Sequence, residues 1–264
     1  MGGQKGDPGQ GRARNPWDAE LDRVHEDAVF IIGAGHFGAR AARILSGRSN
    51  APIFVVDPSE EALAGLSALR VNRICHEGIQ FLLDNFQRMK DASTLVPALP
   101  LHLAYEWLIR YLPKDMVTEK LPMPGTGNRL PNVFTASEGS TLVSYADFLC
   151  PDDCPEPVHC TVTGEKREQP LFALLRGLRI PQFQVHIIQS HQLAPGLGGY
   201  PVGDLRETAE RVMGEGDGKW VLGTACKCHG ILTAFTLTHL SQRHKDATVT
   251  DPNERQPVRR EMSS

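Results

Sequence analysis

The chain has 264 residues, 41% apolar and 22% charged, with a net charge of −3. That length buries a sizeable core, as one large domain or two small ones. The charge balance argues against nucleic acid or an anionic membrane as partner. No uninterrupted apolar run reaches the roughly 18–20 residues a bilayer span needs. The first residues lack the apolar core of a secretory signal, so the expected compartment is the cytoplasm. There, six cysteines are expected to serve as thiols or metal ligands more readily than as disulfides.

Residues 1 to about 25 are rich in Gly, Pro, Arg and Asp and read as a mobile arm. An apolar run, Ala28-Val29-Phe30-Ile31-Ile32, then leads into Gly33-Ala34-Gly35-His36-Phe37-Gly38. A helix-like segment follows from Ala39 to Leu45. The next apolar run, Pro52 to Val56, ends on Asp57, which lies 24 positions after Gly33. Strand, glycine turn, helix, strand and acid in this order predict a dinucleotide-binding βαβ unit. Gly33 permits the tight turn, Gly35 lets a diphosphate approach the backbone, and Gly38 lets the helix sit close to the strand. Backbone N–H groups of Ala34, His36 and Phe37 open the helix, whose positive end suits phosphate. A carboxylate at Asp57 accepts ribose hydroxyls and repels a 2′-phosphate, which favours NAD(H) over NADP(H).

Ser59 before Glu60-Glu61 reads as a helix cap, with a helix to about Leu69. Val71–Cys75 reads as a third strand and Gly78–Phe86 as a helix with Ile79, Leu82, Leu83 and Phe86 apolar. Cys75 stands apart from the other cysteines and is expected to be a buried apolar residue. Thr94 to Pro100 reads as a fourth strand whose end, at Pro100, faces the cofactor crevice. A helix over Leu101–Leu112 follows, with His102 at its start, either as a contact to cofactor or substrate or as a plain helix-start histidine.

Near Pro113 the character changes. Pro122–Asn128 is loop, and Thr141–Tyr145, Phe183–Gln189 and Lys219–Ala225 are short β-like runs. Asp204–Met213 has a helical pattern. The fold class expected is α/β: a Rossmann-like doubly wound parallel sheet with a cysteine-rich α/β extension. Its divisions are an arm over 1–25, the dinucleotide-binding domain over 26–113, the cysteine-rich region over 114–240 and a disordered tail over 241–264. The later runs either extend the first sheet or form a second small domain. Gln192–Tyr200 reads as a glycine-rich strand-to-helix turn, either anion-binding or a flexible loop.

Phe30–Arg40 with Val55-Val56-Asp57 resembles the TrkA-N/RCK N-terminal group of Rossmann domains over about residues 28–110. The resemblance implies an NAD(H)- or nucleotide-binding module of the kind that regulates potassium transport. It would place Gly33, Gly35 and Gly38 on the diphosphate and Asp57 on the ribose, with a membrane transporter subunit as partner and room for a homodimer. Where that group usually has Gly-Asp after its third strand, this chain has Cys75-His76-Glu77. The Val96–Pro100 strand end is also loosely similar to saccharopine-dehydrogenase-like proteins.

The second constellation is Cys150-x3-Cys154-x5-Cys160 in a proline-rich loop, with Cys226-Lys227-Cys228-His229 later. Thiolates are soft ligands, and four suit tetrahedral zinc or an iron–sulfur cluster. Cys150, Cys154 and Cys160 supply three candidates and Cys226 or Cys228 the fourth, with His159 and His229 in reserve. A redox thiol pair and plain structural cysteines stay open. No G-x-S-x-G, H-E-x-x-H or Walker A sequence occurs, so the sequence assigns no catalytic residue. The combined reading is an NAD(H)-binding protein with a cysteine-ligated metal, acting as a redox-linked oxidoreductase or redox sensor.

Overall fold

The structure, a computed structural model, describes residues 17–21, 27–48, 50–126 and 129–240. The expected tail over 241–264 and most of the expected arm lie outside the described residues. In chain order the first half runs α1 (Asp18–Leu21), β1 (Val29–Ile32), α2 (His36–Ser46), β2 (Ile53–Asp57), α3 (Glu60–Ala64), β3 (Asn72–Cys75), α4 (Gly78–Asn85), β4 (Thr94–Pro97) and α5 (Leu103–Tyr111). The second half runs β5 (Met116–Leu121), β6 (Asn132–Thr135), β7 (Thr141–Ser144), α6 (Leu171–Arg176), β8 (Phe183–Gln189), β9 (His191–Ala194), β10 (Leu197–Pro201), α7 (Val202–Glu215), β11 (Gly218–Ala225) and β12 (His229–His239).

The strands β3-β2-β1-β4 are parallel and adjacent in that order. Every residue of β1 is buried, so it reads as a continuous apolar run rather than an alternating one. Alternate residues still serve opposite faces. Phe30, Ile32, Phe54 and Val56 pack with α4 and α5, while Val29, Ile31, Ile53 and Val55 pack with α2 and α3. With helices on both faces, this part of the sheet is doubly wound, as the sequence predicts. The hairpin β9–β10 then adds two strands, β10 lying antiparallel to β4.

The other strands form a second six-stranded mixed sheet, β6-β7-β12-β11-β8, with β5 also on β12. Its centre is β12, which pairs β11 on one edge and β5 and β7 on the other. Trp220, Leu222, Phe235 and Leu237 of this sheet share one core with α5, α7 and the first sheet. The opposite face packs Val221, Leu232 and Ala234 against Leu171 and Leu175 of α6. The later strands therefore do both things left open by the sequence: β9 and β10 extend the first sheet, and the rest build a second.

Several expectations are corrected. Gln192–Tyr200 is the β9–β10 hairpin rather than a strand-to-helix turn. Gly196, at φ +66°, makes its bend, and a Cβ there would lie 1.6 Å from the Asp152 carbonyl oxygen. Cys75 is exposed, because β3 is an edge strand whose alternation turns Ile74 inward and Cys75 outward. Within the expected arm, Leu21 is buried and the Trp17 ring meets the His76 ring edge-on, so apolar contact holds residues 17–21 against the domain.

Candidate functional site

The glycine turn forms because β1 must reverse into α2 over very few residues. Gly33 sits at φ +106°, where L side chains are strained, and a Cβ on it would lie 2.5 Å from the Ala98 carbonyl oxygen. A Cβ on Gly38 would lie 1.8 Å from the Gly33 carbonyl oxygen, so α2 presses directly on the turn. Gly35 differs from both. It has φ −63°, and a Cβ there would meet nothing within 4 Å. The space above Gly35 is open, and no side chain caps α2.

Asp57 is built into this turn. Its Oδ2 accepts the Ala34 N–H at 2.6 Å and its Oδ1 accepts the Ser59 N–H at 2.8 Å. Each oxygen keeps lone-pair capacity for a further donor. Ser59 Oγ in turn accepts the Ala62 N–H at 3.1 Å and caps α3, as the sequence predicts. Between the turn and α3 lies an open cavity of about 510 Å³, lined by Ala34, Gly35, His36, Arg43, Ser59 and Ala62.

Beside Phe37, the second residue of α2, a cleft of about 650 Å³ opens between the two sheets. Phe37, Pro100, His102, Tyr200, Cys226 and His229 are among its walls. Phe37 is an exposed aromatic, 61% accessible, at the junction of turn and cleft. His102 is buried between the sheets, its Nδ1 2.8 Å from Thr233 Oγ1 and its Nε2 3.2 Å from Thr224 Oγ1. Burial, then the Lys120 charge, lowers its pKa to about 3, so the ring is neutral. His102 is the helix-start residue, immediately before α5, and it also stands in the cleft wall and is tied to the second sheet.

All six cysteines are free thiols. Cys150 is raised by burial and by Cys154 and Cys160, and Cys228 is pushed up to about 12 by burial and Glu156, with Cys154 and Cys150 adding to it. Cys154 and Cys160 act on Cys150, and Cys150 and Cys154 on Cys228, but no three of these four sulfurs lie within 4.8 Å of one another. Backbone N–H groups of Thr163 and Val162, with the Thr163 side chain, lower Cys160. Cys226 meets Cys150 through the His229 ring, whose Nδ1 lies 3.9 Å from Cys226 Sγ and whose Nε2 lies 3.5 Å from Cys150 Sγ. Burial and Glu156 push Cys226 up to about 12, and its Sγ accepts the N–H groups of Cys228 and His229 at 3.4 and 3.3 Å. The donor atoms of Glu156, Cys226 and His229 all lie within 4.8 Å of one another. Sequence reading names Cys226 and His229 but not Glu156. Its one local mark is structural, a left-handed φ of +48°.

The cysteine loop docks on the glycine turn. His36 Nε2 lies 2.9 Å from Asp152 Oδ2, Arg40 donates to the Pro195 carbonyl at 3.0 Å, and the Gly196 N–H donates to the Cys154 carbonyl at 2.7 Å. His186, in β8, bonds Thr208 of α7 at 3.0 Å, and His191 is exposed. No helix among the described residues is long and apolar enough to cross a membrane.

Fold and site together define a mixed α/β protein of two six-stranded sheets, with a glycine turn, an intersheet cleft and a thiol-rich loop meeting at one place. The chain belongs to the AF_1314_C family, described as "uncharacterized protein, C-terminal domain", which it matches over residues 104–238. It is 33% identical over 220 residues to a protein from Archaeoglobus fulgidus, also described as uncharacterized, a match that covers 78% of this chain and 97% of that one. That alignment is longer than the C-terminal match, so the likeness reaches into the glycine-turn half.

Proposed function

We propose that the protein binds NAD(H) across the glycine turn and acts as a redox-linked oxidoreductase with a cysteine-held metal. The observation that carries this reading is a pair of cavities at the start of α2, one lined by Ala34, Gly35 and His36 and the other by Phe37. The open space above Gly35 suits a diphosphate, the Asp57 side suits a ribose, and the intersheet cleft receives the other half of the dinucleotide. Bound NAD(H) would supply a hydride donor or acceptor; the walls of the cleft would orient the partner molecule and exclude water.

Cys150, Cys154, Cys160 and Cys228 suit the metal. They supply four soft donors on one loop and the facing strand turn, and binding one ion would draw their sulfurs together. Zinc and an iron–sulfur cluster both match this donor type. The test is anaerobic purification, metal analysis and a visible spectrum, followed by NADH titration. Binding of NADH, with absorbance near 400 nm that bleaches on its addition, supports the oxidoreductase with a cluster. Absence of NADH binding sinks the reading.

A second reading is a nucleotide-sensing module without turnover, of the potassium-transport type that the TrkA-N resemblance implies. The His36–Asp152 contact favours it, since a ligand on the turn would be felt in the cysteine loop. NADH binding with no oxidation by any acceptor, and recovery with a transporter subunit from solubilised membranes, would favour this reading over the first.

A further inference from the structure

We propose that Glu156, Cys226 and His229 form a second metal site, separate from the four-thiol set, that holds a divalent cation of the zinc class with one coordination position open to the intersheet cleft. One sulfur, one nitrogen and one oxygen donor converge within 4.8 Å. A tetrahedral zinc ion with bonds of about 2.3 Å to sulfur and about 2.0 Å to nitrogen holds those two donors roughly 3.6 Å apart. Cys226 Sγ and His229 Nδ1 stand at 3.9 Å, so closure requires a shift of a few tenths of an ångström.

The surroundings suit a bound cation. Two backbone N–H groups already point at Cys226 Sγ, a pattern that stabilises negative charge on sulfur. Glu156 is held by the Lys227 N–H at 3.2 Å and by its left-handed backbone. With His229 Nδ1 on the metal, its Nε2–H faces Cys150 Sγ at 3.5 Å, a partner that fixes the ring. A thiolate and a carboxylate carry two negative charges, which one divalent ion balances. Binding replaces the Cys226 S–H bond by a sulfur–metal bond and releases one proton to solvent.

Three protein ligands leave a fourth position, the mark of a site that takes an outside ligand. Cys226 and His229 line the cleft, whose surface is mainly apolar. The ligand class is therefore a small molecule with an apolar body and one oxygen donor, an alcohol or carbonyl compound. That role toward a substrate rests on the NAD(H) reading; the metal site itself does not.

The test uses full-length protein freed of metal by a chelator under anaerobic conditions, then titrated with Co²⁺. Visible spectra and cobalt content are read for the natural chain and for Cys226→Ser, Glu156→Gln and Cys150→Ser. Cys226→Ser and Glu156→Gln are each expected to bind one cobalt fewer per chain than the natural protein, with unchanged circular dichroism. Cys150→Ser is expected to keep the cobalt they lose. Added azide should shift the visible bands of the natural protein and leave those of Cys226→Ser unchanged, as only an open position admits it. Equal cobalt content in Glu156→Gln and the natural protein overturns the assignment. So does one shared cobalt that Cys150→Ser and Cys226→Ser both lose. NADH affinity on the same samples separates the two proposals: lost NADH binding with the extra cobalt intact removes the dinucleotide reading and leaves this one standing.

Discussion

The Nε2 of His36, the first residue of α2, stands 2.9 Å from Oδ2 of Asp152, which lies between Cys150 and Cys154. Both side chains are exposed, so the pair contributes at most about 1 kcal/mol. Its importance is positional: it ties the glycine turn to the cysteine loop, while Arg40 on the Pro195 carbonyl ties α2 to the β9–β10 hairpin. Asp152→Asn should leave thermal stability nearly unchanged. In the natural protein NADH should slow the release of metal to a chelator, and in Asp152→Asn that protection should shrink. Equal protection in both proteins would mean that the contact transmits nothing.

The three glycines of the turn make separable predictions. Gly38→Ala places a Cβ 1.8 Å from a backbone oxygen, so α2 must move and the domain should lose several kcal/mol, on the order of the larger single-site effects. Gly35→Ala meets nothing within 4 Å and its φ of −63° suits alanine. It should melt at or slightly above the natural temperature and yet bind NADH at least about tenfold more weakly, because the methyl group occupies the diphosphate's approach. Calorimetry and NADH titration on the two variants check this. A Gly35→Ala protein with full affinity would show that nothing binds over the turn.

Asp57 holds the turn and, in the proposed NAD(H) reading, also faces the ribose, and one substitution tests both. Its carboxylate receives two backbone N–H bonds, and bonds to a charged group contribute roughly 1.5–3 kcal/mol. Asn keeps one acceptor and turns an N–H₂ toward the other donor, so Asp57→Asn should lower stability by about 1–2 kcal/mol. It also removes the charge that repels a 2′-phosphate. The preference for NADH over NADPH should therefore narrow, which competition binding measures directly.

The first half of this fold was legible because it is local. Strand, turn, helix and acid follow one another within 30 residues, and Gly33 and Gly38 each have a backbone reason visible in their spacing. The second half depends on joining neighbouring hairpins to partners far apart in sequence: β12 pairs β5 and β7, and β11 pairs β8. β12 is the centre of its sheet, yet Ile231–Thr238 does not stand out in the sequence as a strand. Its β-branched and apolar residues were the available signal, overshadowed by the polar chain that follows. β5 pairs with the distant β12, and β6, though it pairs with the neighbouring β7, has three exposed residues of four, so neither shows the apolar run of a core strand. The site was legible residue by residue but not as an assembly. C-x-C-H placed Cys226 and His229 together, but nothing in the spacing separates Cys226 from Cys228, which face different partners. Glu156 reaches Cys226 and His229 through an unusual backbone angle that no sequence pattern announces.

His102 makes a prediction about pH. Its ring lies neutral between Thr224 and Thr233, and Thr233 also meets Ser140 Oγ at 2.8 Å. Burial, with Lys120 adding to it, lowers the folded-state pKa from 6.5 to about 3. Between those values the unfolded chain holds a proton that the folded one does not, so protons drive unfolding there. The stabilisation is complete above pH 6.5 and declines as the pH falls toward 3, by at most about 1.4 kcal/mol per pH unit. Below 3 His102 adds no further dependence. His102→Gln removes the titrating group at the cost of imperfect bonds to the two threonines, about 1–3 kcal/mol at neutral pH. Urea unfolding from pH 7 to pH 4 should then show the natural protein more stable at pH 7 and the gap closing as the pH falls. A constant gap across that range would mean that His102 accepts a proton in the folded state as readily as in the unfolded one, and that Thr224 and Thr233 do not enforce its neutral form.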